Sequence, residues 1–222
     1  MAHTYYERAR RANGKADYEK SVTLFKEVIE KGFFFDDDRL YPYLTNANHE
    51  LGSDQNTRNY LEQKLQKNPA DINAGEALIS LCVNYLKDLE CADQNITKFE
   101  SGLYSRGTKV RKLELHVLRG EYQEAEKLLL DIGSPTSVPN EVTLFYQTWT
   151  LHALAREKDA QNALRRWQGL MDEVRRSGES ILWVFDAARR ALDAAAKLST
   201  SQKDLLRNMI GAMEDNTRPL PK

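Results

Sequence analysis

Six prolines, eleven glycines and two cysteines are spread through 222 residues, and each scarcity closes off a class of structure. Strand-rich domains use glycine and proline for their many turns, so their rarity favours helices. Cys82 and Cys91 are too few for a disulfide framework; within ISLCVNYL and LECADQN they read as small buried residues of helices. No charge of one sign prevails. The 32 basic and 33 acidic side chains leave a net −1, which argues against a bulk electrostatic hold on nucleic acid or an anionic membrane. Apolar runs are short: the best, Ile181 to Phe185, falls far below the roughly 20 residues that span a bilayer. MAHTYYERARRANGK at the start has no apolar core of signal-peptide length. The expectation is a cytoplasmic protein with no membrane partner, in which the Asn95-Ile96-Thr97 sequon carries no glycan.

What the chain does have is helical periodicity broken at short intervals. Val22, Phe25, Val28 and Ile29 recur at three- and four-residue spacing between Asn13-Gly14 and Lys31-Gly32. Leu40 opens a third helix, with Pro42 in its first turn where no intrahelical amide bond is lost. Gly52-Ser53-Asp54 turns into a fourth, carrying Thr57, Tyr60, Leu61 and Leu65 on its inner side. Ala74, Leu78, Ile79, Leu81, Cys82, Tyr85 and Leu86 make one strongly apolar face of a fifth. A sixth is expected over about Ala92 to Tyr104, a break at Ser105-Arg106-Gly107, and a seventh through Val110, Leu113 and Val117. Gly120 to Ile132, GEYQEAEKLLLDI, is the clearest unit, a tight turn feeding a helix with small Ala125 and a leucine ladder. Beyond a loop at Gly133 to Asn140, further helices cover Val142 to Ala155, Ala160 to Val174, Ile181 to Leu198 and a last one after Ser199-Thr200-Ser201. The reading is about twelve helices in six hairpins, with segments 1–132 and 140–215 continuing one array and 216–222 a tail.

The second helices align on a small residue. Ser21, Thr57, Ala125 and Ala163 stand 36, 68 (twice 34) and 38 residues apart. ADYEKSVTLFKEVIEKG, LGSDQNTRNYLEQKLQKNP and GEYQEAEKLLLDI share that residue, with bulky Phe25, Leu61 and Leu129 four positions later, and Asn68-Pro69 closes the second of them. KDAQNALRRWQGL is a weaker copy. With this period the stretch from about residue 5 to 175 resembles the tetratricopeptide-repeat (TPR) family. The first helices depart from it: Tyr41, Leu44 and Gly75 are scattered approximations of the family's tryptophan, leucine and glycine, and the unit from Cys91 to Leu103 has Ile96 where a small residue is wanted. The resemblance implies an all-α fold, a right-handed α-solenoid of antiparallel hairpins, or TPR-like superhelix, in which first helices line a concave, partner-binding face. Projected onto this chain, that face holds Tyr6, Arg10, Asn46, His49, Ser80, Asn84, His152 and Arg156. The family's clamp for a C-terminal carboxylate is not expected, since Tyr6 and Arg10 stand where lysine and asparagine are required.

Catalytic and cofactor signatures are missing. Gly102 to Lys109 reverses the lysine–hydroxyl order of a phosphate loop and follows no strand. Asp36-Asp37-Asp38 lacks the glycine and distal glutamate of a calcium loop and reads as a helix cap. The four histidines fall on different helices without paired ligand spacing. No cofactor or metal is therefore expected, and the chain reads as a non-enzymatic interaction scaffold for a protein or peptide. Two alternatives stand beside it. One is an arm for sensing or oligomerisation within a larger signalling protein, with self-association through Trp183 and Phe185; the aromatic run Phe33-Phe34-Phe35 is a second exposed-anchor candidate. The other is nucleic-acid binding through Arg165-Arg166, Arg175-Arg176 and Arg189-Arg190.

Overall fold

The structure is a computed structural model that describes residues 1–12, 14–32, 40–99, 105–132, 141–177, 189, 192–193, 199–200, 203–204, 206–208 and 210–211. All regular structure among them is helical. The chain forms two compact units, Met1–Phe99 and Glu100–Lys222. The first holds α1 (Ala2–Ala12), α2 (Lys15–Lys31), α3 (Leu40–Glu50), α4 (Asp54–Lys67), α5 (Ile72–Leu81), a π-helical turn (Cys82–Leu86) and α6 (Leu89–Phe99). The second holds α7 (Ser105–Arg119), α8 (Tyr122–Ile132), α9 (Glu141–Ala153) and α10 (Glu157–Ser177). No helix among the described residues is long and apolar enough to cross a membrane. Trp183, Phe185, Phe33 to Phe35 and Asp36 to Asp38 lie outside the described residues.

Short connections make neighbours of consecutive helices. In the first unit α1 packs on α2, α2 on α3, α3 on α4 and α4 on α5, while alternate helices also meet, α1 with α3 and α3 with α5. The second unit repeats this logic, with α7 against α8, α8 against α9, and α7 against α9. Each face buries the residues its periodicity nominates. Phe25, Ile29, Leu44, Leu61, Leu78 and Ile96 are fully enclosed in one unit; Leu113, Leu118, Trp149 and Trp167 in the other.

The repeat is written most clearly in the backbone. Gly52, Lys87, Gly120 and Ala155 all adopt a left-handed conformation, with φ of 66°, 56°, 72° and 56°, at intervals of 35, 33 and 35 residues. Each sits in a hairpin turn, and the next amide reaches back to close the preceding helix. Ser53 bonds to the Asn48 carbonyl, Glu121 to His116 and Arg156 to Leu151, each spanning five residues. Asp88 reaches six residues, to Cys82, because the π-helical turn inserts one more. The first hairpin shows the five-residue bond as well, from Gly14 to Ala9.

This register amends three expectations. Ala92 and Ala160, both buried, stand five residues after Lys87 and Ala155, just as Thr57 and Ala125 follow Gly52 and Gly120. The α6 hairpin thus has its small residue, with Ile96 in the bulky position after it, and the fourth copy aligns on Ala160 rather than Ala163. Ser105-Arg106-Gly107 does not break the chain; it forms the first turn of α7.

Polar pairs stitch neighbouring hairpins together. The Tyr60 hydroxyl donates to Glu30 at 3.0 Å and Tyr41 to Asp71 at 2.9 Å, each across 30 residues. Asp71 also caps α5 by accepting from the Ala74 amide. Burial, reinforced by these carboxylates, pushes both phenols well above the ordinary tyrosine range. In the second unit buried Glu114 accepts from the Tyr146 hydroxyl at 2.6 Å and from Arg111 at 2.9 Å. Burial raises the Tyr146 phenol far above its usual value, with the Glu114 charge adding to it, so it remains a donor.

Candidate functional site

Three hairpin turns carry the same side-chain device. His49 Nδ1 lies 3.1 Å from Asp54, His116 Nδ1 2.7 Å from Glu121, and His152 Nδ1 2.8 Å from Glu157. In every case an imidazole at the end of a first helix grips an acid five residues later, at the start of the second. A carboxylate only accepts, so Nδ1 is the donor in each grip and Nε2 is the ring nitrogen left over.

The turn between α5 and α6 departs from this pattern. It has no histidine, it contains the π-helical turn, and a disulfide joins Cys82 to Cys91 across it, with Cα atoms 5.9 Å apart. The expectation that both cysteines serve as small buried residues is corrected here: both are buried, and they are bonded to each other. Nine residues separate them, the reach of one tight helical hairpin, so the connection that brings the two helices together also brings the sulfurs together.

Around this turn the structure assembles four of the residues expected on the partner-binding face. Asn46 and His49 come from α3, one helical turn apart, and Ser80 and Asn84 from α5 and the π-helical turn. A fifth, Tyr85, joins them. Its hydroxyl donates to Asn46 Oδ1, and its ring stacks on His49 with centroids 3.9 Å apart. Asn84 donates to Ser80 Oγ at 2.9 Å. The result is a polar ledge bridging two first helices. It offers the amide hydrogens of Asn46, the Nε2 nitrogen of His49 and the Ser80 hydroxyl, groups that complement the N–H and C=O of a peptide backbone.

The ledge is costly to build. Asn84 Oδ1 and Thr45 Oγ1, beside Asn46 on α3, are the two buried side-chain atoms without a hydrogen-bond partner among the described residues of the first unit. Each such group costs about 1–3 kcal/mol, and unsatisfied polar atoms and π-helical turns both concentrate at functional sites. Tyr85 was assigned by periodicity to the apolar face of the fifth helix. The inserted residue of the π-helical turn changes the angular register there, and no sequence signal marks the insertion.

The remaining expected residues stand apart. Tyr6 is a correction: it lies in the core, its ring against Tyr18, Phe25 and Tyr43 at centroid distances of 6.1, 6.3 and 5.1 Å, and cannot line a surface. Arg10 belongs to α1, but its side chain is outside the described residues. His152 and Arg156 are in the second unit. Arg156 pairs with Glu126 and Asp159 at the rim of a groove of about 290 Å³ between α8, α9 and α10, beside exposed Leu130. Its charge is met within the chain. Of the arginine pairs, Arg165 and Arg166 are exposed on α10, and Arg165 donates to Asn162. Among the described residues no group of three or more side chains could hold a metal ion.

Comparison with protein-family models, with curated proteins and with solved structures finds no match to this chain.

Proposed function

We propose that the chain is a non-enzymatic interaction scaffold, a TPR-like solenoid that takes an extended peptide across the ledge formed by Asn46, His49, Ser80 and Tyr85, with buried Asn84 bonded to Ser80 rather than lining it. One observation carries this reading. Two first helices of successive hairpins bring five polar or aromatic side chains together between them, fixed by a hydrogen bond and a ring stack that cross from α5 and its π-helical turn to α3. The solenoid part of the reading draws support from the alternate-helix packing and from the left-handed residues at intervals of 35, 33 and 35. A cytoplasmic setting belongs to the same proposal and draws on the charge-rich, near-neutral composition.

The test is selection of a displayed random-peptide library on the whole chain, followed by affinity measurement against an Asn46→Ala/His49→Ala variant. Asn46 is half-buried and His49 exposed, so the variant keeps the wild-type circular dichroism. Peptides are expected to be enriched and to bind the variant at least about tenfold more weakly, the worth of one or two net hydrogen bonds. Failure to enrich any peptide, or equal affinity for both proteins, would sink the reading.

A further inference from the structure

The disulfide closes a ring that contains part of the ledge. Between Cys82 and Cys91 lie Asn84, Tyr85, the left-handed Lys87 and Asp88, whose carboxylate caps α6 by accepting from the Cys91 amide at 2.9 Å. Three of the four left-handed hairpin turns end α-helically and are held by a histidine–acid grip. This one ends in a π-helical turn and is held by a covalent bond. A π-helical turn is less favourable than the α-helical ending its counterparts adopt. Here it also leaves Asn84 Oδ1 buried and unpaired. Several bonds hold that conformation: the Asp88 amide reaches back to the Cys82 carbonyl, Arg58 of α4 bonds the Asp88 carboxylate at 3.4 Å, and Cys82–Cys91 is the covalent link across the turn. The Lys87 ammonium bonds the Asn84 carbonyl at 2.7 Å within the turn.

We propose that Cys82 and Cys91 form a redox gate on the ledge: the disulfide keeps Tyr85 on Asn46 and His49 in a binding-competent arrangement, and reduction releases it. This rests on the ledge being the binding site. The reductant is a dithiol, small or protein-borne. Its thiolate attacks the sulfur of Cys91, the less enclosed of the two at 4% exposure against 0% for Cys82. The S–S bond breaks, Cys82 leaves as thiolate and takes up a proton, and a mixed disulfide forms on Cys91. The second thiol of the reductant then displaces Cys91, which is likewise protonated. Two electrons and two protons pass to the protein, and the dithiol leaves as its own disulfide. The turn then relaxes toward the α-helical ending of the other hairpins. Losing the extra π-helical residue turns Tyr85 away by about 100°, one residue of helical rotation, and breaks both of its contacts to α3. In a reducing compartment protein disulfides are typically transient and redox-sensing, which suits a gate rather than a structural staple.

The experiment reads the gate without any ligand. The whole chain, labelled at histidine ring carbons, is compared by NMR after air oxidation and in excess dithiothreitol, with His49 assigned from a His49→Gln sample. Alkylation and mass spectrometry count the thiols. The expected result is no alkylation before reduction and two adducts after it. The His49 ring signals should move downfield as the Tyr85 ring leaves, to the position seen in a Tyr85→Leu variant, while His116 and His152 stay in place. Alkylation of both cysteines in the air-oxidised protein would overturn the proposal. So would an unmoved His49 with both thiols free, or collapse of all three histidines to unfolded positions, which would make the bond a structural staple. A peptide from the library selection should in addition lose about tenfold in affinity on reduction. Movement of His49 without any peptide to bind would leave the gate standing and count against the peptide-binding reading alone.

Discussion

Gly75, in the first half of α5, is a test of how tightly α5 and α6 meet. A Cβ at this position would lie 2.2 Å from Cζ and 2.3 Å from Cε2 of Phe99, far inside contact distance. Two effects of opposite sign then compete in Gly75→Ala. Alanine in a helix interior is favoured over glycine by about 1 kcal/mol. Against this, the Phe99 ring must leave its seat or α5 must part from α6, and overpacking of this kind costs about 1–3 kcal/mol. The net expectation is a loss of about 1 kcal/mol in urea unfolding. The sharper expectation is a change of sign. In a Phe99→Ala background the obstruction is gone and only the helix preference remains, so Gly75→Ala should stabilise that protein by about 1 kcal/mol. The coupling between the two positions is then about 2 kcal/mol, well outside the range of additive sites. If Gly75→Ala stabilises the wild type, or has the same effect in both backgrounds, the close approach of α6 to α5 is wrong.

Two further perturbations test the turn register and the stitching between hairpins. Ala155 is exposed and left-handed with φ of 56°, a conformation that penalises any residue with a Cβ. Ala155→Gly should therefore raise stability by about 0.5–1 kcal/mol after allowing for glycine's larger chain entropy; an unchanged or lower urea midpoint would refute the assignment. Tyr60→Phe removes the hydroxyl that, ahead of the Lys64 and Lys67 charges, holds the Glu30 carboxyl below its usual range. A depressed carboxyl contributes stability above its unfolded value and loses it as pH falls through the folded one. The substitution should cost about 0.5 kcal/mol at neutral pH, the low end for a hydrogen bond because the pair is half-exposed. That difference should shrink as pH falls below about 4, first as the unfolded carboxyl and then, at lower pH, the folded one takes up its proton. A difference independent of pH would show that the hydroxyl acts through packing alone.

The helices were legible because each buries one stripe of residues, and that stripe is visible at three- and four-residue spacing in Val22 to Ile29 and in Ala125 to Ile132. Their pairing was legible from short turns with Gly52 and Gly120. The rest depended on contacts far apart in sequence. Tyr6 was placed on the partner face by projecting the tetratricopeptide register onto α1, and Tyr43, brought in by α3, helps close the aromatic cluster that buries it. Tyr85 was read at a regular helical angle, which the π-helical turn breaks. Lys87 and Ala155 hid two of the four register marks, since neither is the glycine that a left-handed turn leads one to look for. The His–acid spacing of five was available in His49 to Asp54, His116 to Glu121 and His152 to Glu157, and it would have given the register without the structure.

That register also decides where function is sought. Once four turns share a left-handed residue at the same place, what they share is explained by the need to reverse a helix pair, and shared features carry no information about a partner. The histidine–acid grip falls in this class although histidine often marks chemistry. The α5–α6 turn is different on three counts at once: it has the extra residue, the disulfide, and a tyrosine that crosses to the neighbouring first helix. Each of these carries a conformational or desolvation cost that the ordinary ending avoids. A stack that closes three other turns without an inserted residue or a disulfide has no structural need for them here. On the proposed reading that departure serves binding, and the ledge, not the best-matched helix at Gly120 to Ile132, is where substitutions are expected to change the affinity for a peptide.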